Sequence, residues 1–348
     1  MTTLTIARPD DWHVHLRDGA ALASVARFTA ERFGRAIVMP NLKPAVTTTA
    51  LAAAYRDRIR AALPPGSRFE PLMTLYLTDA TAPAEIERAK GSGLVHGVKL
   101  YPAGATTHSD AGVTDIRRVE PVLARMEELG VPLLVHGETP GADVDPFDRE
   151  AHFIDAVLAP LVARFPGLKV VFEHITTKLA AAFVAGARAG VAATITPQHL
   201  LHNRGAIFAG GIRPHYYCLP ILKREQDRCA LVEAATSGNP RYFLGTDSAP
   251  HERGAKEGSC GCAGLFTAHA GIELYAEIFA AAGKLHRLEA FASRFGADFY
   301  GLAPNRGTIT LVDSPWIAPS SYEFGGGVLV PYRAGEAVGW RLAGDTPP

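Results

Sequence analysis

Eight short runs of apolar, β-forming residues alternate along this chain with longer helical patterns. The runs are apolar on both faces, as parallel strands covered on both sides must be. Together these observations predict an α/β fold closed as a (β/α)8 TIM barrel. An open doubly wound sheet is the competing arrangement. It is disfavoured because no Gly-x-Gly-x-x-Gly fingerprint follows an early run.

The expected strands cover residues 12–16, 36–40, 71–77, 95–101, 132–136, 169–174, 192–197 and 242–247. Helical patterns fill the gaps at 20–33, 49–62, 83–91, 116–129, 147–165, 178–189 and 224–237. Gly34, Gly130 and Gly190 stand where C-terminal caps belong. A further helical region at 265–282 and 285–299 closes the barrel or packs beside it. From Gly301 the chain is rich in Gly, Pro and Ser and reads as an irregular extension with short strands. The expectation is one domain over 1–348, with the barrel at about 7–300 and the C-terminal extension at about 301–348.

With 348 residues, 47% of them hydrophobic, the chain can bury a large core. Lys+Arg and Asp+Glu balance at 35 each, without a basic tail, which argues against nucleic acid and membrane surfaces as partners. No apolar run is long enough to span a bilayer, and the N-terminus lacks a signal-peptide core. A cytoplasmic protein is expected. Cys218, Cys229, Cys260 and Cys262 follow no disulfide framework and read as free thiols. A structural zinc site at Cys260-Gly261-Cys262 is the lesser reading.

The chemistry starts in Asp11-Trp12-His13-Val14-His15-Leu16-Arg17-Asp18. Residues i and i+2 of a strand point to one face, so His13 and His15 project together. A lone His-x-His is often only core filler. Here further ligand types recur at the ends of later strands: Asn41, Lys99, His136, His174 and Asp247. Barrel active sites lie at those ends. His136 or His174 singly could be a hydrogen-bonded core histidine, and Asp247 singly could cap a helix. Their shared placement points instead to zinc or another late first-row divalent ion.

Lys99 cannot bind metal as an ammonium. It could pair with an acid, form a Schiff base, or react with carbon dioxide to give a carbamate. A carbamate has two oxygens and can bridge two metals. Four histidines are too many for one catalytic zinc that keeps an open position. The carbamate reading is therefore preferred.

These segments resemble the amidohydrolase superfamily, and in detail its dihydroorotases of the single-function bacterial type. Beyond the His-x-His block, the resemblance rests on Met39-Pro40-Asn41, Lys99-Leu100-Tyr101-Pro102, Val135-His136-Gly137-Glu138, Glu173-His174-Ile175-Thr176-Thr177, Pro197-Gln198-His199, Gly245-Thr246-Asp247-Ser248-Ala249-Pro250-His251 and Cys260-Gly261-Cys262-Ala263-Gly264. It runs from about residue 7 to residue 300. It departs at Gly104, where a larger residue is expected, so the loop there gains freedom.

The resemblance implies reversible cyclisation of N-carbamoyl-L-aspartate to L-dihydroorotate and water, a step of pyrimidine synthesis. It implies two zinc ions per subunit. His13, His15 and Asp247 would hold one, His136 and His174 the other, and carboxylated Lys99 would bridge them. A hydroxide between the metals would attack the ring carbonyl, with Asp247 as general acid and base. Arg17, Asn41 and His251 would hold the substrate carboxylate. Arg17 is placed on the same strand face as His15. Backbone groups of Leu219 and Ala263 would contact the ring, and Thr106 and Thr107 would sit on a mobile loop. A homodimer is implied as well.

Two other readings compete. A hydantoinase or allantoinase would share barrel and metals but would not need the carboxylate-binding group. A non-catalytic scaffold would be expected to have lost metal ligands, and all six are present.

Overall fold

Burial on both faces sets eight central strands apart from the rest of this computed structural model, which describes residues 2–259 and 261–344. After an N-terminal strand β1 (Thr3–Ala7), the central strands are β2 (Asp10–Val14), β3 (Arg35–Val38), β4 (Glu70–Tyr76), β5 (Val95–Leu100), β6 (Leu133–Val135), β7 (Val170–Phe172), β8 (Val191–Ile195) and β9 (Tyr242–Leu244). They pair in parallel in sequence order, β2 to β9. Helices follow most of the strands, among them Gly19–Arg32, Thr49–Ala62, Pro83–Ser92, Glu120–Leu129, Lys178–Gly186 and Glu225–Thr236. The (β/α)8 barrel expected from the alternation is present.

Local chemistry sets the helix ends. Thr48 and Thr177 cap their helices by accepting the N–H of Leu51 and Ala180. Gly130 caps Glu120–Leu129 in the left-handed conformation, as expected. Gly34 is not a cap. Its helix ends at Arg32 with Phe33 as the cap, and a Cβ on Gly34 would lie 2.5 Å from the Asn305 side chain. Gly190 falls beyond Gly186, where its helix stops, in the turn entering β8.

The seam between β9 and β2 closes the barrel. The Asp247 N–H donates to the His13 carbonyl at 2.9 Å, and the His15 N–H donates to the Ser248 carbonyl at 3.0 Å. The Asp11 carboxylate underpins both. It accepts the Thr246 N–H at 2.9 Å, the Thr246 hydroxyl at 2.6 Å and the His13 N–H at 3.2 Å. Below the seam, Trp12 stacks on Tyr300 with centroids 4.7 Å apart, plugging the barrel interior with Ile37, Leu72, Leu134, Val171 and Phe243.

The region after Gly301 carries short strands, and they are ordered into sheets. β10 (Thr308–Ile317) pairs antiparallel with β1 and with β13 (Ala337–Leu342), and β11 (Tyr322–Phe324) forms a hairpin with β12 (Gly327–Leu329). The N-terminal strand is thus paired with chain from the far C-terminus. Cys218 and Cys229 are free thiols; Cys260 lies outside the described residues.

Replacing Asp11 with Ala strands three buried seam donors, and should lower folding stability by about 3 kcal/mol. Chemical denaturation would read this as a lower midpoint; an unchanged midpoint would show that the seam stands without the carboxylate.

Candidate active site

Three ligand atoms meet directly above the seam. Oδ1 of Asp247 lies 3.2 Å from Nε2 of His13 and 3.2 Å from Nε2 of His15. The two imidazole nitrogens are 3.3 Å apart. The β2–β3 register shifts between Asp11 and Val14, and such bulges re-aim side chains beside active sites. On its far side, His13 presents Nδ1 to Glu173 Oε1 at 3.0 Å. His15 presents Nδ1 to the Asn41 side-chain oxygen at 2.9 Å. Both rings are thereby fixed with Nε2 inward.

The remaining histidines continue the cluster. The His174 ring sits 4.9 Å from His13 and 4.9 Å from His136, centroid to centroid. His13, Glu173 and His174 form a second group whose ligand atoms lie within 4.8 Å of one another. His136 is beside that group rather than in it, with Nε2 2.8 Å from Glu138 Oε2. Lys99, on β5 and fully buried, bonds to Glu173 Oε2. Glu173 therefore touches both His13 and Lys99.

The electrostatics favour a cation. Asp247 is buried, yet the neighbouring His13 and His15 hold its carboxyl well below the usual range. Burial alone would lower His13, but the Glu173 and Asp247 carboxylates raise it to about 9. Burial pushes His15 down to about 4 and His174 further, which leaves them as the neutral imidazoles that ligate metal. His174 Nδ1 is buried without a protein partner. Convergent imidazoles, flanking carboxylates and a free buried ring nitrogen fit a bound divalent metal.

A second charged group faces the cluster across the cavity. Arg17 donates from Nε to the Pro250 carbonyl at 2.8 Å and from its terminal nitrogen to His251 Nε2 at 3.0 Å. Arg17 does not lie on the strand face with His15. β2 ends at Val14, and Arg17 sits in a left-handed turn at φ 61, from which its side chain swings back to the cavity. Asn41 uses both ends of its amide, donating from Nδ2 to the Thr107 carbonyl at 3.3 Å.

Every candidate residue except Lys99 lines one cavity, and Thr106, Thr107, Leu219 and Ala263 form part of its wall. Only about 30 Å³ of it is free. The loop bearing the two threonines lines it, with Gly104 at φ 78. A larger cavity of about 690 Å³ lies outside the barrel between 113–123 and 153–165. It has no imidazole and no ligand cluster, so the chemistry is assigned to the smaller one.

Sequence reasoning passed over Glu173 and Glu138. Each is a carboxylate within two residues of a strand-end histidine, in an otherwise apolar run. That adjacency was the available signal.

A (β/α)8 barrel with imidazoles and carboxylates gathered at the C-terminal ends of its strands defines a metal-dependent hydrolase of the barrel type. The amidohydrolase family model matches residues 6–318. Dihydroorotase of Azoarcus sp. (strain BH72) is 68% identical over 344 residues, covering 99% of this chain and 100% of that protein. The crystal structure of dihydroorotase from Saccharomyces cerevisiae in complex with 5-fluoroorotic acid superposes with TM-score 0.91 at 32% identity, covering 98% of each chain. That of dihydroorotase from Campylobacter jejuni gives 0.90 at 36% identity, covering 98% of this chain and 97% of that one. The chain belongs to the amidohydrolase family, among its dihydroorotases.

Glu173→Gln should weaken metal binding by about 10- to 100-fold, the usual cost of losing a carboxylate behind a ligating histidine. Chelator competition would measure it; unchanged affinity would mean that His13 is oriented without Glu173.

Proposed function

We propose that this site interconverts N-carbamoyl-L-aspartate and L-dihydroorotate, with release or uptake of water. The activity is that of a dihydroorotase, a hydrolase acting on a cyclic amide. The observation that carries the reading is the pairing of two opposed groups in one cavity: the histidine–Asp247 cluster and the Arg17–His251 pair. The substrate has a matching division, with a carboxylate at one end and an amide carbonyl at the other.

His13, His15 and Asp247 would hold one zinc ion, and His136 and His174 a second. Lys99, carboxylated by carbon dioxide, would link the two. Bound metal supplies Lewis acidity toward the ring carbonyl and brings the pKa of water to about 7. Asp247 takes a proton from the attacking water and delivers it to the leaving ring nitrogen; in cyclisation it accepts the proton of the attacking nitrogen. Its carboxyl, held low by His13 and His15, is ionised at neutral pH.

Arg17 binds the exocyclic carboxylate through its planar fork, with His251 and Asn41 beside it. Burial, and Arg17 next, push His251 down to about 2, so it stands beside the carboxylate as a neutral imidazole. Backbone groups of Leu219 and Ala263 meet the ring. The free space of about 30 Å³ cannot take a six-membered ring, so the loop carrying Thr106 and Thr107 lifts to admit substrate and closes to exclude water. The reading includes a cytoplasmic homodimer. No helix among the described residues is long and apolar enough to cross a membrane.

Ring opening of L-dihydroorotate by the zinc-supplemented protein, beside a metal-stripped control, tests the whole reading. Metal-dependent turnover is expected; turnover of hydantoins alone would replace the substrate, and no turnover with metal bound would overturn the activity. Arg17→Met should raise the dissociation constant for L-dihydroorotate about 100-fold while metal content stays constant. Unchanged affinity would place the carboxylate elsewhere.

A further inference from the structure

Leu219 and Ala263 reach the cavity from separate loops, one after β8 and one after β9, and neither lies in a helix or strand. Backbone groups that are to match a flat ring must keep a fixed spacing, and irregular chain does not provide one by itself. Lys256 ties the two loops together. Its side chain is buried, 3% exposed. Nζ donates to the carbonyls of Tyr217 at 3.1 Å, Cys262 at 2.8 Å and Gly264 at 2.6 Å. An ammonium has three protons, and three carbonyls take them.

The placement of those carbonyls is specific. Tyr217 stands two residues before Leu219, and Cys262 and Gly264 flank Ala263 on both sides. The Gly264 N–H also donates to the Tyr217 carbonyl at 3.1 Å, so one oxygen joins both loops. Gly264 sits at φ +141, and a Cβ there would fall 2.5 Å from the Ala249 carbonyl oxygen. On the other side of Leu219, His199 holds the Pro220 carbonyl at 2.9 Å from Nε2.

Lys256 forms no ion pair with a carboxylate among the described residues. A buried ammonium without a counter-charge is costly to keep, and an apolar side chain would fill the same space at less cost. Burial lowers Lys256 to about 8, which still leaves it an ammonium at neutral pH.

We infer that Lys256 is a positioning residue, whose three carbonyl bonds set the spacing of the Leu219 and Ala263 backbones and so the recognition of the pyrimidine ring. The inference rests on the proposal above that these two backbones contact the ring. It assigns Lys256 no contact with substrate or metal.

The test uses the zinc-supplemented holoenzyme, with orotate and its two ring N-methyl derivatives as calorimetric ligands. Methylation removes one ring N–H at a time and leaves the carboxylate intact. The wild-type protein should prefer orotate over at least one derivative by about tenfold, the worth of one buried hydrogen bond. Lys256→Met should lose that preference while bound zinc stays unchanged. Lys256→Gln, which keeps two donors, should retain part of it, and carries the test if the Met variant does not fold. An equal loss of affinity for all three ligands, or a preference kept in both variants, would overturn the inference and leave the ring contacts standing. A wild-type protein with no preference among the three would instead overturn the ring contacts, and the inference with them.

Discussion

The barrel closes at a single seam, and the site exists because of how that seam is made. The chain just beyond β9 meets β2 and the residue after it through two main-chain hydrogen bonds, and both involve residues of the histidine–aspartate cluster: the Asp247 N–H donates to the His13 carbonyl, and the His15 N–H donates to the Ser248 carbonyl. A shift of the seam by one residue would turn every side chain of β2 to the other face. Asp11 prevents that slip by gripping Thr246 and the His13 amide with one buried carboxylate. Fold closure and ligand assembly are therefore one event.

Three of the site residues sit in the left-handed region without being glycine: Arg17 at φ 61, His174 at φ 43 and Asp247 at φ 46. Such conformations cost about 1–3 kcal/mol each and persist only where the surroundings over-determine them. Each is pinned here by a named bond. The Tyr55 hydroxyl donates to the Arg17 carbonyl at 2.5 Å, the His174 N–H donates to the Thr194 hydroxyl at 2.8 Å, and the Asp247 N–H donates across the seam. The strain turns chain that has just left a strand back over the barrel mouth, which places a side chain above the axis instead of along the wall.

The alternation of apolar runs made the eight strands legible, and the histidines made the cluster legible, because both signals are local. A strand-end residue announces its own position. The pairing of β1 with β10 was invisible, since it joins Thr3–Ala7 to chain some 300 residues away and neither segment alone specifies the other. Arg17 was legible as a residue but not as a placement: strand periodicity stops at Val14, and the turn that replaces it is set by tertiary bonds. Glu173 was hidden inside a β-type run, where its charge is meaningful only once His13 and Lys99, 160 and 74 positions back, are seen against it. Lys256 carries no motif, because its partners are carbonyls, which every residue has.

The cavity separates charge of opposite sign along one short axis. On its floor, Glu173 and Asp247 draw positive charge, raising His13 to about 9, and Lys99 bonds to Glu173. On its opposite wall, Arg17 holds a half-buried guanidinium whose hydrogen-bond partners among the described residues are neutral, the Pro250 carbonyl and His251. Neither half neutralises the other by direct contact, so each holds its charge for something that arrives. A metal would satisfy the floor, and on the proposed reading a carboxylate would satisfy the wall. On the proposed reading, a ring bearing one carboxylate would favour the orientation that pairs it with Arg17, since the reversed one would strand the guanidinium. On that reading electrostatics would set the orientation, and the backbone groups of Leu219 and Ala263 would be left the narrower task of recognising which ring it is.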